Sequence, residues 1–450
     1  MKRYEVYKES GVPWIDRMPA HWSTQRGKFL YRKEQRPVGE QDDVVTCFRD
    51  GMVTLRKNRR TTGFTEALRE FGYQGIRKGD LVIHVMDAFA GAIGVSDSDG
   101  KGTPVYNVCT AYGDSNNNYY AYALREMARS GFIQSLYRGI RERSSDFRFD
   151  VFAQQFLPVP PRAEQDQIVR YLDWQVSKIN RLIAAKRKQI AVLQEQHRHL
   201  IADAVLHGIT DNCLQKDSGV DWISTIPEHW DVIRCKYVFT ERDERSIAGE
   251  EEHLSMSQKY GLVPDSKLDE RRMLSESYAG GKICYKDDLV LNRLKAHLGV
   301  FALAPQKGVI SPDYTVLVPN TECILPAYGE AVLKSDLCRR ELCIRVRGII
   351  EGFWRLYTDD FYTIVIPLPP LKEQEQIMEH LSALNEKFVA LKQNLEKEIL
   401  TLQDLRTRLI SDVVTGQIDV RGIDIPDFGY TEDVGAADDT AEEELEPEEV

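Results

Sequence analysis

The residues best able to do chemistry in this chain are its clustered arginines and lysines. "LRKNRR" brings Arg56, Lys57, Arg59 and Arg60 together, and Arg138, Arg141, Arg143 and Arg148 form a second group. Pairs recur further on, at Arg271/Arg272, Arg293/Lys295, Arg339/Arg340 and Arg345/Arg347. Such groups neutralise phosphates, and Arg, Asn and Gln among them can read base edges in a DNA groove. One basic cluster is most often a solvated surface. Clusters in both halves of a chain make nucleic-acid binding the sharper expectation, with Arg56, Lys57, Arg59, Arg60, Arg141, Arg143, Arg271, Arg272, Arg293, Lys295, Arg345 and Arg347 as candidate contacts.

Catalytic patterns do not accompany them. The sequence holds no G-x-x-x-x-G-K-[ST] phosphate loop, no H-E-x-x-H zinc helix, no G-x-G-x-x-G after a strand and no G-x-S-x-G elbow. His197 and His199 lack acidic or thiol neighbours at metal-ligand spacing and read as solvated or interface histidines. Asp265 and Lys267 do not build the acidic cluster plus lysine of a metal-dependent nuclease. The eight cysteines are scattered without a CxxC, as expected of reduced, mostly buried thiols. These features together favour a binding protein with no catalytic residue and no metal site.

The elements that must position these groups follow from an internal duplication. "KESGVPWIDRMPAHW" (Lys8–Trp22) returns as "KDSGVDWISTIPEHW" (Lys216–Trp230), and "PVPPRAEQDQIV" (Pro158–Val169) as "PLPPLKEQEQIM" (Pro367–Met378). Weaker matches keep the same offset of 208 or 209, as in "GDLVIHVMDAFAG" and "DDLVLNRLKAHLG". Two prolines and a glutamate suit each helix start. Apolar residues then recur at 4-3 spacing: Leu172, Val176, Ile179, Ile183, Ile190, Leu193 and Leu200, and Leu381, Phe388, Leu395, Ile399, Leu402, Leu409 and Val413. This is the seam of a coiled coil, interrupted by Lys186, Asn385, Lys392 and Arg406. The obvious partner of each helix is the other copy, giving an antiparallel pair with an approximate two-fold axis. The blocks between read as mixed α/β: "DLVIHV", "TPVYNVCT", "KICYKDDLVL" and "DYTVLV" as strands, "NYYAYALREMARSGFIQSLY" and "LPAYGEAVLKSDLCRREL" as helices.

At 450 residues the chain has room for two to four domains. No apolar run could span a membrane, and the first residues lack a secretory signal, so a cytoplasmic protein is expected. The net charge of -11 is concentrated from Asp424 onward, where twelve acidic residues stand without a lysine or arginine. That segment reads as a solvated, disordered tail, and the remaining body is close to neutral. Residues 1–150 carry 24 basic against 19 acidic residues, whereas the second block carries 20 against 25.

The alternation of "SGV-x-W-I-x-x-x-P-x-H-W" with "P-x-P-P-x-x-E-Q-x-Q-I", twice over, resembles the specificity (S) subunits of type I restriction–modification systems. The resemblance covers the chain to about Arg421. It implies an α/β fold class with two target recognition domains, 1–157 and 211–366, separated by two spacer helices, 158–210 and 367–420, and followed by the acidic tail 421–450. It also implies a bipartite, asymmetric double-stranded DNA target, with two methyltransferase (M) subunits and restriction/translocase (R) subunits as partners. S-adenosylmethionine, ATP and Mg2+ would then be used only in those partners. The readings set against it are an S-like subunit of another restriction class, a coiled-coil scaffold with two protein-binding domains, and an independent nuclease.

Overall fold

A computed structural model describes residues 2–59, 71–136, 147–210, 213–257, 260–267, 278–348 and 354–431. The chain divides into two compact units: Met1–Arg187 with Glu396–Val450, and Lys188–Leu395. Each unit therefore contains one block and a part of both long helices.

In the first unit the hairpin Tyr7–Val12/Ile15–Pro19 leads to Ser23–Arg26, which pairs with Phe156–Val159. A four-stranded sheet follows in the order Tyr31–Lys33, Tyr106–Ala111, Leu81–His84, Ile93–Val95. The second unit repeats the plan. Its hairpin is Gln215–Val220/Ile223–Pro227, Asp231–Arg234 pairs with Val365–Leu368, and its sheet runs Phe239–Arg242, Tyr314–Pro319, Leu289–Asn292, Phe301–Leu303. The strands pair antiparallel in both sheets.

The central strands read as continuous apolar runs because both of their faces are covered. In the second unit Leu289, Leu291 and Leu317 face a core that includes Trp230, Tyr328 and Ile377. Val290 and Val316, one residue out of phase, join Leu254, Leu262 and Ile310 from two small strand pairs on the opposite face. Val82 and Val108 do the same with Val45, Val53 and Ile76 in the first unit. The expected helices appear as Asn117–Arg129, Pro326–Lys334 and Asp336–Arg345. Asn116 caps the first of these by accepting from the Asn118 and Tyr119 amides.

The long helices are Arg162–His207 and Leu371–Val414, 46 and 44 residues. They start later than residues 158 and 367, because Pro158–Val159 and Pro367–Leu368 are held in strands. Within the first unit Asn180 meets Arg406 (2.8 Å) and Lys186 meets Glu398 (2.6 Å), so these stretches run antiparallel. Two of the seam's polar interruptions are thus cross-helix pairs. In the second unit His197 stacks on Phe388, with ring centroids 4.0 Å apart.

Residues 421–431 depart from the expected disorder. They form an extended strap on the first long helix. Gln167 donates to the Val420 and Ile423 carbonyls, Arg170 to Ile425, Arg181 to Gly429 and Asn180 to Thr431, while Ser177 accepts from the Thr431 amide. Val420, just before the strap, and its own Ile425 are buried. Acidity alone pointed to a solvated chain, but the helix side chains supply the hydrogen bonds that an extended backbone otherwise takes from water. Residues 432–450 lie outside the described residues.

Candidate nucleic-acid interface

The two repeated motifs are far apart in sequence and meet in space, once in each unit. In the first, Glu164 lies in the opening turn of the long helix with 5% exposure and accepts from Trp22 Nε1 (3.0 Å) and the Tyr4 hydroxyl. His21 Nε2 lies 2.8 Å from its other oxygen. Burial, and then the adjacent Glu164, push the Tyr4 phenol well above its ordinary range. Beside it, Gln165 accepts from the Asn116 amide and donates to the Pro160 carbonyl, both at 2.9 Å. In the second unit Glu373 meets His229 (2.7 Å), and Gln374 accepts from Leu325 and donates to Pro369, both at 2.8 Å. Tyr119 donates to the Val414 carbonyl in one unit and Tyr328 to the Val205 carbonyl in the other. "H-W" and "E-Q" are therefore parts of a frame. They orient helix against sheet.

Upon that frame the two units present different chemistry. Strand Leu81–His84 runs into the turn Ala88–Ala90, and Leu289–Asn292 into Ala296–Leu298. The turns are built alike. His84 Nδ1 accepts from the Asp87 amide (3.1 Å), and Asn292 Oδ1 from Leu294 and Lys295 (3.0 and 3.3 Å). Gly91 and Gly299 end them at φ 92° and 79°, a left-handed backbone that suits glycine. Yet the residue immediately before the turn is Asp87 in one unit and Lys295 in the other. The small hairpins differ in the same way. The turn after one is Arg56–Asn58, whereas that after the other is Asp265–Lys267, with Asp265 held by His253 (2.7 Å) and Ser255 (2.5 Å).

The basic residues picked out by sequence separate into three groups. Arg60, Arg141, Arg143, Arg271 and Arg272 lie outside the described residues. Several others are committed to structure. Arg59 pairs with Asp50 (2.6 Å) over the Phe48 ring, and Arg345 bonds Glu341 and Thr363. Arg347 pairs with Asp360, and Arg293 bonds Thr315 (2.9 Å) and approaches Glu241. Lys57, although bonded to Asp43, and Lys295 are exposed, and Arg56 is half-buried beside Thr46. Of the seam residues, Leu172, Ile179, Ile183, Leu381 and Ile399 are buried. Ile190, Leu193, Phe388, Leu395 and Leu402 are half-buried, and Leu200 is half exposed.

Sequence reasoning did not pick out Arg49, Arg125 and Arg129, and it read Arg406 only as an interruption of the seam. These line a cleft of about 620 Å³ in the first unit, together with Tyr430 of the strap. The spacing of Arg125 and Arg129 on one helix face was the available signal. Among the described residues no group of His, Cys, Asp or Glu could hold a metal ion, and no helix is long and apolar enough to cross a membrane.

A duplicated frame of paired long helices carrying two chemically unlike sheet domains defines the class of protein. Residues 228–401 match the family described as type I restriction modification DNA specificity domain. Two specificity subunits of Methanocaldococcus jannaschii are similar. That of the MjaVIII type I restriction enzyme is 24% identical over 318 residues, 68% of this chain and 71% of the relative. That of the putative MjaX enzyme is 25% identical over 282 residues, 59% and 60% of the two. A chain in a structure of a type I R-M system superposes with a TM-score of 0.63 at 16% identity, over 89% of this chain and 99% of that one, which shows the shared fold. The chain is thus similar, in sequence over residues 228–401 and in fold over most of its length, to the specificity subunits of type I restriction–modification systems that its repeated motifs resemble.

Proposed function

We propose that the chain reads an asymmetric, two-part DNA sequence, one part by each unit. It is proposed to do so without catalysing any step itself. The observation that supports this reading is the difference in charge on matched scaffolds: Asp87 against Lys295, and the two cations of Arg56–Asn58 against one charge of each sign in Asp265–Lys267. A carboxylate accepts from a cytosine amino group, whereas lysine donates to guanine O6 and N7. Two surfaces so different favour different bases, and the target they favour is not a palindrome.

The long helices would fix the gap between the two parts and offer surface to M and R subunits. S-adenosylmethionine, ATP and Mg2+ would belong to those partners, in the cytoplasm. A salt series of DNA binding tests the DNA half of the proposal. Counterion release predicts a steep, linear loss of log affinity with log salt. A scaffold that binds only proteins would show no affinity to lose.

A further inference from the structure

Each unit turns one aromatic ring to solvent at the same place. Residues 26–33 read "RGKFLYRK" and residues 234–241 read "RCKYVFTE". Both contain a single helical turn, Gly27–Leu30 and Cys235–Val238, that buries its first and last residues and leaves the middle two outside. Phe29 is 62% exposed and Tyr237 61%. In each case the preceding lysine caps the ring, Lys28 Nζ 5.0 Å and Lys236 Nζ 4.6 Å from its centroid. Arg26 and Arg234, just before the turns, are exposed as well, Arg26 over the Phe156 ring. Among the described residues none of these four cations is paired with a carboxylate.

One exposed ring is ordinary on a protein surface. Two at matched positions, each with a lysine over it and an arginine beside it, are not, because the turns presented elsewhere by the two units differ, Asp87 in one and Lys295 in the other. A surface kept alike on both units meets something that is itself the same on both. Base-specific contact with an asymmetric target is the opposite case. The topology also separates this place from the differing turns. Gly27–Leu30 enters the sheet at the Ala111 end of strand Tyr106–Ala111, where the Tyr112 amide donates to the Leu30 carbonyl (2.7 Å), and the turn after His84 leaves it at the Tyr106 end. In the second unit Cys235–Val238 adjoins Pro319 and the turn after Asn292 adjoins Tyr314. Each strand has six residues, which at about 3.3 Å apiece sets the two places about 20 Å apart.

We propose that Arg26, Lys28 and Phe29 in one unit, and Arg234, Lys236 and Tyr237 in the other, are equivalent docking sites that each take one copy of the methyltransferase subunit. The proposal rests on the partner reading above and gives it a place and a chemistry, in addition to the surface that the long helices would offer. Two uncompensated cations around an exposed ring fit a carboxylate set beside an apolar side chain. Aromatic and arginine side chains are also the anchors that carry most of the energy of protein interfaces.

The test uses the purified protein of the neighbouring methyltransferase gene and counts the copies bound per chain by mass photometry over a concentration series. The intact chain is expected to bind two. Lys28→Glu with Phe29→Ser should weaken one site roughly thirtyfold and leave one copy bound, and Lys236→Glu with Tyr237→Ser should do the same to the other. The untouched site in each variant reports that the chain is folded. Exchanging the rings, Phe29→Tyr with Tyr237→Phe, should leave two copies bound. Two copies held as tightly by both charge-reversed variants as by the intact chain overturn the proposal. So does loss of DNA affinity in those variants with methyltransferase binding unchanged, which assigns the patches to the DNA backbone. A methyltransferase that does not bind even the intact chain overturns the partner reading and this proposal together.

Discussion

Glu164 and Glu373 occupy the same place in the repeated motif, but the structure predicts unequal costs for removing them. Glu164→Ala leaves two buried donors without an acceptor, Trp22 Nε1 in a fully buried ring and the Tyr4 hydroxyl at 5% exposure. Each such orphaned donor costs about 1–3 kcal/mol, so the expected loss is about 2–6 kcal/mol. Glu373→Ala breaks a bond to His229, whose side chain is half exposed, which is worth about 0.5–1 kcal/mol. Trp230 Nε1 has no partner among the described residues even with Glu373 present, so its burial cost is unchanged. Glu164→Gln keeps an acceptor and should fall between the two. A chain of two units need not unfold in one step, so the assay is native-state hydrogen exchange read by unit. Glu164→Ala should raise exchange in the hairpin Tyr7–Val12/Ile15–Pro19 far more than Glu373→Ala raises it in Gln215–Val220/Ile223–Pro227. Equal increases, or a larger one from Glu373→Ala, would refute the argument that hydrogen bonds to the helix start hold the frame.

His197 is half-buried against Phe388 with its Nε2 unpartnered, and burial lowers its pKa. A lowered folded-state pKa means stability that is complete above the unfolded value of about 6.5 and is lost as pH falls through the folded one. The second unit should therefore weaken between pH 7.5 and 5.5, and His197→Phe should remove part of that slope in urea titrations; an unchanged slope counts against it. Exchanging charge at the matched turns, by Asp87→Lys or Lys295→Asp, should alter one half of the DNA target and leave the other intact, as read by selection from a random-sequence pool. Loss of all binding, or change in both halves, contradicts separate readers. Inserting one heptad into Arg162–His207 should change the gap between the half-sites and neither half-site sequence. An unchanged gap removes the spacer role.

Much of the fold was legible because the chain states it twice. Trp22 and Trp230, Glu164 and Glu373, and Gln165 and Gln374 stand out by repetition, and the 4-3 spacing of Ile179, Ile183 and Ile399 marks the helix pair. What those residues bond to was not legible, since the contact between Trp22 and Glu164 spans 142 positions that no local pattern connects. The surroundings of the basic clusters were not legible, because sequence shows a charge and hides its counter-charge. Arg59 and Arg347 are as basic as Arg125, but Asp50 and Asp360 already hold them. The strap was hidden for a related reason. Its acidity looked like solvation, while its backbone bonds come from Gln167, Arg170, Asn180 and Arg181, a polar stripe on a helix read only for its apolar seam.

The central claim is that this chain chooses a two-part DNA sequence for a methyltransferase. The most direct test is a genome-wide map of methylated bases in cells with and without the gene, the neighbouring methyltransferase gene being intact. The account predicts that one asymmetric motif, two short parts with a fixed gap, loses its methylation when the gene is deleted. No change in any motif, in cells where the system is expressed and active, would contradict it.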